Sequence, residues 1–526
     1  MRNWFLICFL IITLNVNSQN GNIIFNDTIV HTLVIETKIP NWFETVENDF
    51  QQNFDHPDLY PEIYRPCSVS WDGILLSNCG FREKGNASNS LTNFGKKKPF
   101  KIAFDEFDNN QTLDGLKKIN LNNFTNDPSL MHDVISFKLF RDAGLVASRT
   151  SYAKLIINGE YIGLYVIIEN VDKTFLKAHY GGANNDGNLY KTDRGAAVYL
   201  NWLGSSSSGY KDQGLKLNTN DSIDDWTQLI NFIDFINNNF DADFKQQLES
   251  KFDVHAYLKI LAIEKCVRSW DSYWGGGNNF YLYEHPDGMI RWIPWDMNET
   301  FQDIKIISGT SQLDGYLVPT NKFDVRPLVK RIFEIPEFKT EYLNYVCELV
   351  NSNYSLKNLG QYIVDRHDLV DRPYLEDPYR YNSYEAFKNS LTEYNQDEVS
   401  ITHSGYVLRL NYPGIFPFIQ SQREWAVEQI NAWEMECNIE DHSIYDLFVY
   451  PNPASDYIQI NNLGGGFEYA QFLLYDFTGR ICRKTDFEIM EGESYRFFLD
   501  GIPGGIYILL KNSADGKLGR AKIIVR

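Results

Sequence analysis

The chain has 526 residues, 43% of them hydrophobic and 15% aromatic, and a formal net charge of −20. That length is too great for one ordinary core and sets an expectation of two or three domains. The acidic balance, with an isoelectric point near 4.9, excludes a nucleic-acid surface, which needs clustered Lys and Arg to neutralise phosphates.

The chain starts with the basic Met1-Arg2-Asn3, the apolar run "WFLICFLIITL" and then "NVNSQN". This reads as a signal peptide, residues 1–18, cut near Ser18–Gln19. The run is short for a membrane span, and no later segment is longer and apolar enough. The mature chain is therefore expected to have no transmembrane helix and to be secreted or held at the outer cell surface.

Residues 20–60 hold one alternating strand, "HTLVIETKI", and a helix, "NWFETVENDFQQNF". From Tyr64 strands and turns dominate. "CSVSWDGILLSNCGFREKG" reads as a hairpin about Asp72-Gly73, and "KKPFKIAFDEF" as an alternating strand. "SLMHDVISFKLFRDAGL" has helical spacing and stops at Gly144. "YAKLIINGEYIGLYVIIENV" is a hairpin turning on Asn158-Gly159. "NLYKTD" is a short strand, and "LGSSSSGYKDQG" reads as a linker. Helical patterns follow in "DDWTQLINFIDFINN", "DADFKQQLESKFDVHAYLKILAIEKCVRSW", "DVRPLVKRIFEIPEFKTEYLNYVCELV" and "IQSQREWAVEQINAWEMEC". Between them lies a hairpin, Phe280–Tyr283 and Met289–Ile293, about the turn at residues 285–288. The last stretch, from Asp441, is short strands broken by Pro, Gly, Asn and Asp, the pattern of a β-sandwich. Of the 7 Cys, none forms a Cys-x-x-Cys pair, which argues against zinc. Cys67 and Cys79 either pair across their hairpin or stay as buried thiols.

The hairpin in "GGGNNFYLYEHPDGMIRWIPWDMNETF" carries polar groups at its open end. Strand pairing can bring Asn279 and Asp296 together there, and the glycines 275–277 let the chain turn sharply enough to tether Asp271 beside them. An amide oxygen and two carboxylates are hard ligands suited to Mg²⁺. One carboxylate to take a hydroxyl proton and two groups to hold metal is the grammar of phosphoryl transfer. Upstream, "FREKGNASNSLTNFGKKKPFKIAF" joins a Gly-Asn-x-Ser turn to a basic strand, where backbone N–H groups can approach phosphates.

Four segments, "GFREKGNAS", "KKPFKIAFDEF", "NGEYIGLYVIIENVDKTFL" and "NNFYLYEHPDGMIRWIPWDMNETF", resemble in order the CotH family, the spore-coat protein H kinases. The likeness runs from around Thr32 to Trp433. It implies an α+β, atypical protein-kinase-like fold over residues 19–440, with a strand-rich lobe before a helix-rich one. It also implies ATP and Mg²⁺ as cofactors and Ser hydroxyls of a protein as acceptors. By matching motif, Asp271 would be the catalytic base, and Asn279, Asp296 and Asn298 the metal set. Gly85, Asn86 and Ser88 would line the phosphate loop. Lys98 would be the nucleotide lysine, with Lys101 as alternate and Glu169 as its partner or a metal-side acid. Asn298 stands where many relatives carry a second Asp, Ala87 where a hydroxyl is common, and His132-Asp133 where Arg-Asn is frequent. These departures leave a second reading, a weak or inactive surface binding or adhesion protein.

The end of the chain, "VYPNPASDYIQI", "LYDFTGR", "GIPGGIYIL" and "KIIVR", is similar to the type A sorting domain of the type IX secretion system. That resemblance implies a sorting domain over residues 441–526 and the secretion machinery as partner.

Overall fold

The computed structural model describes residues 20–526, apart from 86–94, 194–195, 309–325, 394, 404–405, 440–443, 448, 462–467, 490–493 and 514–517. The expected signal peptide lies outside the described residues.

Seven strands form a closed barrel. They are β1 (Val30–Glu36), β2 (Arg65–Trp71), β3 (Ile74–Glu83), β4 (Phe100–Ala103), β5 (Lys118–Asn122), β6 (Thr150–Ile157) and β7 (Glu160–Glu169). The order around the barrel is β1-β2-β3-β4-β5-β7-β6, closed by a parallel pairing of β1 with β6. Side chains alternate across each strand, so Leu33, Ile35, Phe81, Phe100, Ile102 and Leu121 fill the interior. The helix Trp42–Asp55 adds Trp42 and Val46 to that core.

Strand β7 is buried along most of its length because both of its faces are covered. Tyr165 and Ile167 point into the barrel. Leu164, Val166 and Ile168 join a second, larger core with the helix His132–Asp142 and the helical part of the chain. A strand covered on both sides reads as a near-continuous apolar run, which is what "YIGLYVII" is.

The barrel is locked to the helical body through the end of the helix Leu356–Leu375. Lys97 forms a buried ion pair with Asp377, and the same carboxylate accepts a hydrogen bond from the Leu164 N–H at 2.9 Å. Gly163, at φ +144°, lies directly beneath. A Cβ there would come within 2.7 Å of the Asp377 carboxylate, so the position demands glycine.

The helical body is built on the helices Thr227–Asn238, Val254–Cys266, Pro336–Asn351, Leu356–Leu375 and Ile415–Asn431. The expected helical stretch from Asp324 divides into Pro327–Phe333 and Pro336–Asn351, because Pro336 opens the second helix at its first turn. The expected linker at "LGSSSSGYKDQG" instead contains a short helix, Ser207–Asp212, whose Ser206 side chain caps the Ser208 N–H. Tyr210 anchors that helix in the core. A disulfide joins Cys347 to Cys437 across 90 residues. Cys67 and Cys79 face each other across β2 and β3 as buried thiols.

A second sheet runs β11-β10-β8-β9, with β8 at Leu189–Thr192, β9 at Leu215–Leu217, β10 at Phe280–Glu284 and β11 at Ile290–Pro294. It lies against the helical body, with Phe280, Leu282, Trp292 and Ile293 in the large core. The C-terminal part is all β, a five-stranded and a three-stranded sheet around a core of its own that includes Ile458, Phe472, Leu474, Leu509 and Ile523.

Candidate active site

The hairpin β10–β11 pairs Phe280 with Pro294, and the Trp295 N–H donates to the Asn279 carbonyl at 3.2 Å. Asn279 and Asp296 therefore meet at the open end of the hairpin, as the sequence leads one to expect. Both sit in the left-handed region, at φ +59° and +56°. Asn and Asp tolerate that conformation better than most residues, and it clusters at functional sites.

The Asn279 amide donates to the Asp271 carboxylate at 2.9 Å and to the Asp271 carbonyl at 3.0 Å. This fixes Asp271 beside the hairpin end. The glycines serve that approach in two ways. A Cβ at residue 275 would meet the Trp270 carbonyl oxygen at 1.9 Å, and Gly277 turns at φ +74°. Burial pushes the Asp271 carboxyl well above its ordinary range. Glu299 and Asp296 add to the rise, and the Asn279 hydrogen bond opposes it.

Glu299 was not anticipated. It is buried, and its carboxylate accepts hydrogen bonds from Asn126 at 2.9 Å, Asn298 at 3.1 Å and Gln302 at 3.1 Å. Burial moves it up to about 7 against the pull of the Asn126 and Gln302 hydrogen bonds. Asn298 thus turns its amide N–H onto a neighbouring acid, and its carbonyl accepts from His132 Nδ1 at 2.8 Å.

Facing this end is the outer surface of β3, β4 and β5. Lys101 stands opposite Arg82 on β3 and Asn120 on β5. Just beyond β3, the Lys84 ammonium donates to Asn122 at 2.6 Å. Asn122 in turn donates to Asp133 at 3.2 Å, and the other Asp133 oxygen accepts from the Met297 N–H at 3.1 Å. A continuous chain of hydrogen bonds therefore runs from the barrel to the residue after Asp296. Burial brings Lys84 down to about 8, with Asp296 pulling the other way, and lifts Asp133 to about 8, with Asp296 adding to the rise. Lys101 is driven well below its usual range by burial, then by Arg82 and Lys191. Acids pushed up and bases pushed down in one cleft are the signature of charges held out of water.

Two expected roles need correction. Lys98 lies two residues before β4, with its ammonium 3.4 Å from Glu47 of the helix Trp42–Asp55. Lys101, by contrast, is on β4 opposite Arg82 and Asn120. Glu169 does not pair with either lysine. Arg149 grips both its oxygens at 2.6 and 2.9 Å, and His179 approaches at 3.3 Å. Burial would raise Glu169, but His179 and Arg149 outweigh it and hold the carboxyl low. The acid that faces a cleft lysine is Asp133, which the sequence flagged only as a departure. Gly85 sits at φ +95°, a turn that favours glycine, just before residues 86–94. Asn86 and Ser88, like Ala87, lie outside the described residues.

A family model described as CotH kinase protein matches residues 81–405. A second, described as secretion system C-terminal sorting domain, matches residues 448–526, which corresponds to the all-β end. That domain marks the chain as secreted or cell-surface. Among curated proteins, inner spore coat protein H of Bacillus subtilis is 28% identical over 296 residues, covering 56% of this chain and 77% of that protein. Invasin CotH2 of Rhizopus delemar is 24% identical, covering 36% of this chain and 33% of that one. Spore coat protein homolog 1 of the same fungus is 22% identical, covering 46% and 40%. The chain thus spans well under half of each Rhizopus protein. With more than half its length matched by the first family model, the chain belongs to the CotH kinase protein family.

Proposed function

We propose that this protein is an exported, atypical kinase that transfers the γ-phosphate of ATP to a Ser hydroxyl of another protein, with a kinase-like pairing of barrel and helical body. The observation that carries this reading is the opposition across one cleft of Asp271, held by Asn279 beside Asp296, and the barrel lysines Lys84 and Lys101. Asp271 is the base that accepts the hydroxyl proton, and its hydrogen bond from Asn279 keeps it aimed. Lys84 and Lys101 bind the phosphate chain, and the Asn122–Asp133 link keeps Lys84 in place. Asp296 and Asn279 would hold Mg²⁺, with Glu299 behind them, and the ion would supply charge neutralisation on the β- and γ-phosphates. The donor set supports this, since it is oxygen throughout. Among the described residues no three Asp, Glu, His or Cys converge as a cage. Mg²⁺ bound by one or two carboxylates and phosphate oxygens needs no such cage.

The test is transfer of labelled γ-phosphate by the secreted chain in Mg²⁺, with Asp271→Ala as comparison. Labelling lost in the variant while ATP still raises its melting temperature supports the reading. Equal labelling by both overturns it. One observation favours a second reading, a surface-binding protein that keeps the nucleotide pocket without turnover: Asn298 is an amide turned onto Glu299. A melting shift with ATP but no labelling by the wild type selects that reading. The type IX machinery is the proposed export partner, through the sorting domain.

A further inference from the structure

Lys191 is an ionisable residue in the short strand β8, on the helical side of the cleft. Its cross-strand neighbours are Tyr281 on β10 and Lys216 on β9. The ammonium lies 5.6 Å from the Tyr281 ring centre and 5.5 Å from that of Trp295, the residue before Asp296. These rings fix the side chain pointing to the open end of the hairpin. Among the described residues it makes no hydrogen bond or ion pair. The nearby Asp193 is engaged by Lys216 at 2.7 Å, and Glu62 by Arg82. Lys191 is only half-buried, so the cleft reaches it.

We propose that Lys191 binds the phosphate chain from the helical side, so that Lys84, Lys101 and Lys191 form one oxyanion cage spanning barrel and helical body. The cage deepens the nucleotide reading above and rests on it for the ligand's identity. Its physical basis is separate. Three half-buried lysines crowd one cleft, and burial lowers all three. A polyanion relieves that crowding, since ion pairing favours the charged form of each lysine. Because one of the three comes from the far side, a bound phosphate chain ties the two sides together. A lone triphosphate, without base or ribose, should suffice to bind.

The experiment is titration of the full secreted chain with inorganic tripolyphosphate by calorimetry, for the wild type, Lys191→Met, Lys191→Arg and, as a charge control, Lys154→Met. Met keeps the unbranched packing on Tyr281 and Trp295 and removes only the charge. At least tenfold weaker binding by Lys191→Met, with Lys191→Arg and Lys154→Met within threefold of wild type, supports the cage. Equal binding by wild type and Lys191→Met overturns it, as does a wild type that binds no tripolyphosphate. If Lys191→Met does not fold, acetylation of wild-type lysines read by mass spectrometry decides. Protection of Lys191 by tripolyphosphate supports the cage, and labelling at an unchanged rate overturns it. Failure of the kinase reading looks different: phosphate transfer is absent from the wild type while the tripolyphosphate results above still hold.

Discussion

Two clusters of buried charge lie where the barrel meets the rest of the chain, one around Glu169 and one around Lys84, Asp133 and Asp271, and they are built on different rules. At the end of β7, one carboxylate, Glu169, meets the Arg149 guanidinium in a two-pronged pair, with His179 alongside. Arg149 also donates to the Asn20 carbonyl at 2.6 Å, so the cluster pins the start of the described chain. Charge and hydrogen-bonding capacity are matched there, and the carboxyl is held low. In the cleft, lysines are pushed down and carboxyls up. Shifts of opposite sign crowded into one cleft are the pattern found at functional sites. The first cluster ties the barrel to the start of the described chain; the second is the one that the proposed function assigns to a ligand.

The sharpest way to break this contrast is Asp271→Ala. Phosphate transfer should fall by about 10³-fold, within the usual range for removing a general base, with little change in melting temperature; labelled-phosphate assays and thermal unfolding check both. The balanced cluster should respond in the opposite sense. Glu169→Gln leaves the Arg149 guanidinium without its counter-charge and should cost about 3 kcal/mol of stability. Nucleotide affinity per folded molecule should not change, which denaturant unfolding and calorimetry can separate.

His367 tests whether a satisfied buried group behaves like Glu169 when it is neutral. Its ring stacks on Phe387 at 4.0 Å and its Nε2–H donates to the Phe387 carbonyl at 3.0 Å. Burial lowers it from 6.5 to about 4. The folded state therefore binds fewer protons than the unfolded one between those values. Its contribution is complete above pH 6.5 and is lost as pH falls toward 4. At pH 5 the loss should be about 2 kcal/mol relative to pH 7, and His367→Gln should flatten that part of the stability–pH curve.

The smallest effect separates Lys101 from the nearby Lys98. Lys101→Ala should weaken ATP binding about tenfold, or about 1.4 kcal/mol. Lys98→Ala should leave binding unchanged and act only on packing against the helix Trp42–Asp55. Equal effects of the two would mean that the face of β4 turned to the cleft has been misassigned.

Much of the site was legible because it is local. Asn279 and Asp296 meet because two short strands and a turn return the chain to its starting point, and Asp271 follows on a short glycine tether. The sorting sandwich was legible for the same reason, as closely spaced strands and turns. What misled was distance along the chain. Glu169 looked like an acid stranded at the end of an apolar strand, but its partner Arg149 lies across the hairpin turn at the start of β6. Lys98 and Lys101 are three residues apart in one basic stretch, and nothing local says that the strand starts only at Phe100, between them.

The sequence by itself determined the hairpin and its polar end, the tether to Asp271, the family and the division into a long first part and a β-sandwich. All of these follow from patterns within a few tens of residues. Only the tertiary structure decided that the first strands close into a barrel, that Lys101 rather than Lys98 stands opposite Arg82 and Asn120, and that Asp133, Glu299 and Lys191 come near Asp296. The physical reason is that a strand's two faces become inside and outside only when the sheet closes. Which buried charges then stand together depends on which surfaces that closure brings face to face.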